Sequence, residues 1–322
     1  MKALVCNALG PGLSGVALVD IDIPTLGPQD VLVRNRSACI NFPDLLMTEG
    51  TYQHRPELPF ILGMESAGDV IAVGAGVQNI QQGDRVIAGG KSGAFAEYRT
   101  APLEAVRPIP GGLDYAEAAA HTGGLITAYV ALVRLGRIAA GEVVLVHGAS
   151  GGVGFAAVQL ARHLGATVIA TSASAEKRRW LQGFADHVLE PGDELRDQVM
   201  AIAPKGVDLC FDPVGGNLFD RSIRCMGFGG RYLVIGFTSG RIPEISVNYP
   251  LIKGFSLIGV RAGEYGRRFP ELGRENVEAI DALAEQGLIP HIGARFTLSE
   301  GMDALRCLQG RTAMGRIAIS MD

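Results

Sequence analysis

Cysteine is sparse in this sequence, and its cysteines do not form pairs. The five residues Cys6, Cys39, Cys210, Cys225 and Cys307 are dispersed, and no two have the CxxC spacing of many zinc and redox sites. An odd, scattered set is typical of free thiols in a reducing cytoplasm rather than of disulfides. The sequence therefore disfavours a disulfide scaffold and a structural zinc cluster, and it predicts a cytoplasmic protein.

An excess of positive charge is also missing. The chain has 29 Lys and Arg against 33 Asp and Glu, a formal net charge of -4, and no basic stripe dominates it. We therefore predict no nucleic-acid partner. The N-terminal MKALVCNALG has no basic region followed by an apolar segment, so no signal peptide is expected. Apolar runs are too short to span a bilayer, which predicts no membrane association.

Apolar residues and glycine are plentiful instead. Apolar residues make up 48% of the chain, as in a well-packed globular protein, and 44 of the 322 residues are glycine. This length favours two domains. Short strand-like segments predict a mostly-β domain over residues 1–122, which the closing segment GRIAISMD rejoins as a strand. We assign residues 262–322 to that domain, and residues 123–261, where strands alternate with helices, to a second domain.

The second domain begins with a strand, a glycine turn and a helix in direct succession. The aliphatic run Val143–Val146 is typical of a buried strand, the turn spans Gly148–Gly154, and Gly165 is well placed to end the helix. This order predicts a dinucleotide-binding, or Rossmann, fingerprint, although Ala149 stands where the usual GxGxxG has its first Gly. The helix N-terminus would offer free N–H groups to a pyrophosphate. The predicted cofactor-binding residues of this turn are Ser150, Gly151, Gly152 and Val153.

The end of the next strand indicates which nicotinamide cofactor binds. An acidic residue there takes the ribose hydroxyls of NAD, but Ala170–Ser174 contains none, and Lys177 follows in the next helix. A hydroxyl from Ser172 and the cation of Lys177 would hold a 2′-phosphate, which predicts NADPH. The alternative is that Lys177 only solvates a helix face.

Later strands should also contact the nicotinamide at their carboxyl ends. Gly236 and Phe237 follow one such strand, and Gly236 would let the backbone approach the carboxamide. An ordinary strand-to-turn glycine is an equally good interpretation of Gly236 taken alone.

Motifs along nearly the whole chain carry a family resemblance. They are Asn41–Leu46, Gly50–Tyr52, Leu58–Gly68, Gly83–Val86, Gly93–Glu97, Gly141–Val146, the glycine fingerprint, Asp212–Gly216 and Gly230–Arg231. With these motifs the chain resembles the zinc-independent quinone oxidoreductases of the medium-chain dehydrogenase/reductase superfamily. The resemblance implies an α/β fold in which a GroES-like, mostly-β catalytic domain accompanies a Rossmann doubly wound parallel sheet.

The resemblance also bears on metal binding. Zinc alcohol dehydrogenases of the superfamily use cysteine, histidine or acidic ligands at positions that match Asn41, Met64 and a residue near Gly123 in this chain. Such residues do not form a usable zinc ligand set. We therefore predict no metal, and an acceptor that is already electron-poor.

The family implies roles for residues in both domains. Asn41 and Thr127 match nicotinamide-side contacts, and Tyr52 matches a tyrosine of the substrate cleft. Tyr52 either donates a proton or hydrogen bond to the substrate oxygen or only packs over the cofactor. We expect Asp44 to be a helix N-terminal carboxylate held by backbone groups, and Glu65 to pair with a nearby cation. Asn41 and Tyr52 are the predicted catalytic residues.

The expected activity is NADPH-dependent hydride transfer to a quinone or an activated alkene. The alternatives are an enoyl-thioester or 2-alkenoate reductase and a cofactor-binding protein without enzymatic activity. Arg261, among three arginines in Arg261–Arg268, would clamp an anionic acceptor, unless these arginines are solvated or pair with Glu264 and Glu271. The family further implies a homodimer paired through the edge strand Phe255–Val260.

Overall fold

The fold is described from a computed structural model that covers residues 1–321. The chain divides into two compact units. Met1–Gly123 and residues 281–321 form the first unit, and Gly124–Ile280 forms the second.

The strands of the described residues alternate with helices from β9 onward. The strands are β1 (Lys2–Cys6), β2 (Val16–Asp20), β3 (Asp30–Cys39), β4 (Phe60–Ile61), β5 (Glu65–Val73), β6 (Arg85–Gly89), β7 (Tyr98–Pro102), β8 (Val106–Pro108), β9 (Val143–Val146), β10 (Thr167–Thr171), β11 (His187–Leu189), β12 (Val207–Asp212), β13 (Met226–Val234), β14 (Ser256–Gly259), β15 (Ile292–Thr297) and β16 (Arg316–Ser320). The helices are α1 (Phe42–Thr48), α2 (Tyr115–Tyr129), α3 (Gly152–His163), α4 (Ala175–Leu181), α5 (Leu195–Ile202), α6 (Gly216–Ser222), α7 (Asn248–Lys253), α8 (Ala262–Arg268), α9 (Pro270–Glu285) and α10 (Gly301–Gln309).

The first unit is built on β-sheets. A larger sheet has the order β15-β16-β3-β5-β6-β8, with β7 also paired to β3, and a smaller one has the order β2-β1-β4. Strand β16 pairs antiparallel with β3, so that Ala318 lies opposite Cys39. The predicted return of this strand to the first domain is therefore confirmed.

The second unit contains a six-stranded sheet with the order β11-β10-β9-β12-β13-β14, in which the pairs are parallel. Its central strands β9, β10 and β12 are largely buried, as is typical of a parallel sheet that helices cover on both faces. Strand β9 lies in the middle, where the order reverses direction, and this topological switch point is where doubly wound sheets bind ligands. The predicted fold class is confirmed.

The division after Ile280 differs from the boundary before Ala262 that the sequence suggested. The guanidinium of Arg134 donates to Asn276 Oδ1 at 2.7 Å and to Glu275 Oε2 at 2.8 Å. These bonds connect the second turn of α9 to Arg134 of the second unit. The structure thus places residues 262–280 with the nucleotide-binding fold rather than with the β-domain.

One helix is longer and more apolar than the sequence analysis expected of any segment in this chain. Helix α2 continues as a wider helical turn, so that Tyr115–Leu135 forms 21 helical residues, long and apolar enough to cross a membrane by length and composition. The prediction that no apolar run is long enough to span a bilayer is therefore wrong by helix length and composition. The most apolar window is 56% buried, and the core helix of a soluble protein passes the same test, so this helix is weak evidence for a membrane span.

Candidate functional site

The glycine turn between β9 and α3 forms the base of the candidate nucleotide site. Gly148 has a left-handed backbone with φ of 55°, and Gly151 is the N-cap of α3. A Cβ at Gly154 would lie 2.2 Å from the carbonyl oxygen of Gly148, so only glycine allows the helix to pack this closely on the turn. The first N–H groups of the 12-residue helix have no acceptor within the helix, and free N–H groups of this kind suit an anion.

The departure at Ala149 has a local explanation. Gly148 takes the left-handed conformation of this turn, and the backbone N–H of Ala149 donates to the carbonyl of Thr171 at 3.2 Å. Ala149 is fully buried. The alanine methyl group therefore fits the core, and the turn still forms without a glycine at this position.

Ser172, predicted to hold a 2′-phosphate, lies beside Ser150 of the glycine turn. The hydroxyls of Ser150 and Ser172 are 3.4 Å apart and buried. Ser174 is the N-cap of α4, and its hydroxyl accepts from the backbone N–H of Lys177 at 3.4 Å, which places Lys177 in the first turn of that helix. The structure thus brings the two serines together, with Lys177 on the helix that follows.

Arg178 is a contributor to this loop that the sequence analysis missed. Its guanidinium donates to the carbonyls of Ser172 and Ala173 at 3.0 and 2.8 Å, and to Glu190 at 2.9 Å. It therefore fixes the backbone that carries the Ser172 hydroxyl. One signal was present, the run of cations from Lys177 onward, but such a run does not indicate which cation faces the loop.

The turn after β12 is held by a buried carboxylate. Asp212 accepts the backbone N–H groups of Val214 and Gly215 at 2.8 and 2.9 Å through Oδ1, and the hydroxyl of Tyr232 at 2.7 Å through Oδ2. Burial raises the pKa of Tyr232, and the hydrogen bond to Asp212 adds to this effect. The turn is thereby fixed next to the carboxyl end of β13.

The two residues predicted after β13 differ in their surroundings. A Cβ at Gly236 would lie in ordinary contact with Pro213, 3.5 Å from its carbonyl oxygen, so internal packing does not require glycine there. Phe237 is 38% exposed and lies against Gly215. Thr127 lies in α2, which approaches the glycine turn: a Cβ at Gly124 would be 3.2 Å from the carbonyl oxygen of Gly152.

In the first unit, Asn41 lies at the N-terminus of α1 within a buried polar cluster. Its amide Nδ2 donates to Glu65 Oε1 at 2.6 Å and to the carbonyl of Cys39 at 3.4 Å. Arg316 Nη2 donates to Asn41 Oδ1 and to Glu65 Oε1, each at 3.1 Å. The predicted cation partner of Glu65 is therefore Arg316, the first residue of β16. The sequence analysis did not identify it.

This cluster and its surroundings contain the positions that the resemblance matches to the ligands of the zinc enzymes. Glu65 Oε2 accepts the backbone N–H of Gly123, and a Cβ on Gly123 would lie 2.3 Å from Glu65 Oε1. Met64 is partly buried against the apolar core. An amide, a thioether and a glycine do not make a zinc donor set, and the Arg316 cation lies beside them. Among residues 1–321, moreover, no three His, Cys, Asp or Glu side chains are grouped to hold a metal ion.

Burial shifts the ionisation of groups around the cluster. Asp44 is fully buried, and this raises its pKa to about 7, although the N–H of Asn41 donates to its Oδ2 at 2.7 Å and opposes the shift. The expectation of a helix N-terminal carboxylate bonded to backbone is confirmed. Burial also raises the pKa of the Cys39 thiol to about 12. For Arg316, burial lowers the pKa, but Cys39 and Glu65 outweigh it and the net shift is upward.

Tyr52 follows α1 in a loop. Its backbone N–H donates to the carbonyl of Leu46 at 3.3 Å, and its side chain is partly buried against the apolar core, as are those of Phe42 and Met64. Within the part of the chain that the structure describes, the Tyr52 hydroxyl has no hydrogen-bond partner. It remains available to a ligand.

The arginines that follow β14 have different partners. Arg267 and Arg268 pair with Glu264 at 3.0 and 2.8 Å, which is the alternative that the sequence left open for them. Arg261 is the N-cap of α8, is exposed, and has no ion-pair partner within residues 1–321.

Comparison with known proteins places these features in context. The family description "Alcohol dehydrogenase GroES-like domain" matches residues 27–111, and "Zinc-binding dehydrogenase" matches residues 152–285. The sequence is 33% identical over 326 residues to the "Quinone oxidoreductase-like protein 2 homolog" of Nematostella vectensis, covering 99% of this chain and 88% of that protein.

Solved structures agree with the sequence relatives. A probable oxidoreductase from Mycobacterium abscessus superposes with a TM-score of 0.90 and 35% identity, covering 100% of this chain and 99% of the other. The Escherichia coli quinone oxidoreductase, complexed with NADPH, has a TM-score of 0.90 and 27% identity, and both chains are covered completely.

Proposed function

Because this chain belongs to the zinc-independent, quinone oxidoreductase-type family of medium-chain dehydrogenases/reductases, we propose that it is an NADPH-dependent reductase of quinones. The coarser description, an oxidoreductase that uses NADPH, follows from the family and from relatives that bind this cofactor. That the electron acceptor is a quinone is the more specific part of the proposal. An activated alkene, such as an enone, is the closest alternative acceptor. We further propose that the protein is cytoplasmic.

The residues around the glycine turn of the second unit are the main support for NADPH as the cofactor. The free N–H groups at the α3 N-terminus suit the pyrophosphate, with Ser150, Gly151, Gly152 and Val153 in its turn. Ser172 and Lys177 suit the 2′-phosphate, because a hydroxyl and a cation bind it where a carboxylate would repel it. Thr127, Gly236 and Phe237 are proposed nicotinamide-side contacts, and the spare room at Gly236 supports this role.

The cluster around Asn41 supports an electron-poor acceptor. NADPH supplies a hydride when bound, and a quinone takes up that hydride and one proton to give the hydroquinone. A quinone needs no Lewis acid to make it electrophilic, and the donor set at Asn41, Met64 and Gly123 is unsuited to provide one. The Tyr52 hydroxyl is the proposed group that donates a hydrogen bond to the acceptor oxygen.

We also propose a homodimer. Strand β14 is an edge of the six-stranded sheet, and its unpaired backbone groups form a template for another strand. Large apolar side chains are exposed on and near this edge, including Leu257 at 42%, Phe228 at 91% and Leu251 at 80%. Pairing of two β14 strands around a two-fold axis would cover this surface and extend the sheet.

An activity panel tests the proposed function. Oxidation of NADPH by the purified protein is followed with a quinone, an enone, a 2-alkenoate and an enoyl-thioester, each over a range of concentrations. We expect the highest kcat/KM with the quinone. A higher kcat/KM with an enone, alkenoate or thioester would replace the proposed acceptor, and failure to oxidise NADPH with any acceptor would reject the reductase.

The exposed Arg261 favours a second candidate, reduction of an anionic alkenoate or acyl-thioester. A guanidinium binds a carboxylate or phosphate through two parallel hydrogen bonds. Under this candidate, Arg261→Ala raises KM for the anionic acceptor and leaves KM for a neutral quinone unchanged. Arg268→Ala is the matched control, because Arg268 already pairs with Glu264. Equal changes in KM for both acceptors, or no change for either, would show that Arg261 does not bind the anionic group of an acceptor.

A further inference from the structure

The guanidinium of Arg99 is buried in the first unit without an acidic partner. Arg99 lies on β7 and is 5% exposed. Its Nη1 donates to the Ser66 hydroxyl at 3.3 Å and to the Ala88 carbonyl at 3.1 Å, and its Nη2 donates to the carbonyls of Gly89 and Ser92 at 3.0 and 3.3 Å. Within residues 1–321 it forms no ion pair. Burial lowers the pKa of Arg99 to about 10, which leaves it charged at neutral pH. Because buried charges are ordinarily paired, this cation is exceptional.

The loop of residues 90–93, which follows β6 and reads Gly-Lys-Ser-Gly, lies over this guanidinium. A Cβ at Gly90 would lie 2.5 Å from Arg99 Nη2, so glycine allows the cation to come this close to the loop backbone. The carbonyl of Gly89 faces Arg99. In a planar trans peptide group the N–H points opposite to the carbonyl, so the Gly90 N–H points away from Arg99. Arg99 thus holds the loop by its carbonyl side and leaves an N–H group on the other.

Several hydrogen-bond donors of the 90–93 loop have no acceptor in the part of the chain that the structure describes. They are the backbone N–H groups of Gly90, Lys91 and Ser92, the Ser92 hydroxyl and the Lys91 ammonium group. The Lys91 side chain is exposed. Successive free N–H groups form anion-binding concavities in proteins, and hydrogen bonds from a cation to an oxyanion are stronger than neutral ones. The loop therefore carries the donors that an oxyanion requires.

Acidic residues near the loop have other partners. Glu65, which lies on β5 beside β6, pairs with Arg316 at 3.1 Å. Glu97 Oε2 accepts the backbone N–H of Lys2 at 2.7 Å. Neither acid therefore neutralises the positive charges of the loop and of the guanidinium beneath it.

We propose that the 90–93 loop binds an oxyanion, either a carboxylate or a phosphate group. The N–H groups of Gly90, Lys91 and Ser92 and the Lys91 ammonium group are its donors, and the buried charge of Arg99 lies behind them. Arg99 is a positioning residue of this site, because it holds the carbonyls of Gly89 and Ser92. The site uses none of the residues proposed to bind NADPH, and it does not depend on the reduction of a quinone.

The test measures anion binding to the protein saturated with NADP⁺, which fills the phosphate positions of the nucleotide site. Inorganic phosphate is titrated by calorimetry at constant ionic strength, because exposed charges are screened by salt. We expect one saturable site in the wild-type protein and roughly 5- to 20-fold weaker binding in Lys91→Ala, as for a lost charge-assisted hydrogen bond. Arg99→Lys keeps the positive charge but cannot hold both loop carbonyls, so it should also weaken binding.

Acetate and a 2-alkenoate, titrated in the same way, distinguish the sources of the anion. No hydride is available from NADP⁺, so the alkenoate is bound and not reduced. Phosphate binding that is tighter than that of both carboxylates identifies a phosphate group as the ligand. Alkenoate binding that is tighter than that of acetate and phosphate identifies the carboxylate of an acceptor.

Lys2→Ala is the matched control, since Lys2 is an exposed lysine of β1 in the same unit. It should bind the anions as the wild-type protein does. Absence of saturable binding of all three anions by the wild-type protein would overturn the site, and equal weakening in Lys91→Ala and Lys2→Ala would overturn its assignment to the loop. If Arg99→Lys does not fold, the two lysine variants still decide the question.

Discussion

The carboxylate of Glu65 and the guanidinium of Arg316 form a buried ion pair at 3.1 Å, although 251 residues separate them along the chain. Strand β16 brings them together by pairing with β3, which leads into the α1 N-terminus. The pair joins distant parts of the first unit and holds the amide of Asn41 at the same time.

Removing one member of this pair should be strongly destabilising. Arg316→Ala leaves the Glu65 charge buried without its partner, and we expect a loss of about 3–5 kcal/mol in the free energy of unfolding. Urea denaturation measures it. Arg306→Ala removes an exposed pair with Asp303 and should change stability by at most about 1 kcal/mol. Similar losses in both variants would contradict the special role of the buried pair.

Asp44 should make stability depend on pH between about 4 and 7. Its folded pKa of about 7 lies above the ordinary value, so the protonated form is favoured by folding. Its contribution is fully present below the unfolded pKa and is lost as pH rises through the folded pKa. Asp44→Asn, which stays uncharged, should therefore be more stable relative to wild type at about pH 8 than at about pH 4. Denaturation midpoints at the two values measure this, and a constant difference would refute it.

Lys177 should determine the preference for NADPH. Lys177→Ala removes a charge-assisted hydrogen bond to the 2′-phosphate, and we expect a loss of about 1.5–3 kcal/mol in NADPH affinity with little change for NADH. Titration of both cofactors checks this. Arg179→Ala, the removal of an exposed cation in the same helix, should have a small effect. Equal losses of NADPH and NADH affinity in Lys177→Ala would reject the assignment.

Activity should not depend on zinc. Asn41, Met64 and Gly123 offer no suitable donor set, so dialysis against a strong chelator should leave NADPH oxidation unchanged, and elemental analysis should find no stoichiometric zinc. A zinc alcohol dehydrogenase treated in parallel is the control for removal of the metal. Activity that is lost on dialysis and restored by zinc would overturn this prediction.

The β14 edge should mediate dimerisation. Leu257→Glu places a charge on an edge that the proposed dimer buries, and it should increase the monomer fraction in sedimentation at micromolar concentration. Leu18→Glu is a matched control, because Leu18 is 36% exposed on β2, an edge strand of another sheet. A wild-type protein that sediments as a monomer would exclude the dimer.

Local patterns in the sequence were sufficient to predict the nucleotide-binding fold. The strand Val143–Val146, the glycine turn and the helix are consecutive, so short-range geometry determines them. The predicted edge strand Phe255–Val260 likewise contains β14 (Ser256–Gly259). The switch-point position of β9 then follows from the doubly wound topology.

The Asn41 cluster could be predicted only in part. The helix position of Asp44 is local, and a cation beside Glu65 was expected. Arg316 was not identified, because an arginine before a short apolar strand ordinarily lies at the surface and its burial depends on pairing with β3. The assignment of residues 262–280 likewise depends on the contacts of Arg134 with α9, which no sequence period reveals.

The interleaving of the two units along the chain constrains how the protein is made. Residues 124–280 are contiguous, so this unit can close as soon as they have left the ribosome. The β-unit must wait for residues 316–320, because until then β3 has an open edge and Glu65 has no cation beside it. During synthesis the second unit is therefore complete in sequence before the first, and the Ser37–Cys39 end of β3 keeps unpaired backbone groups until β16 has been made.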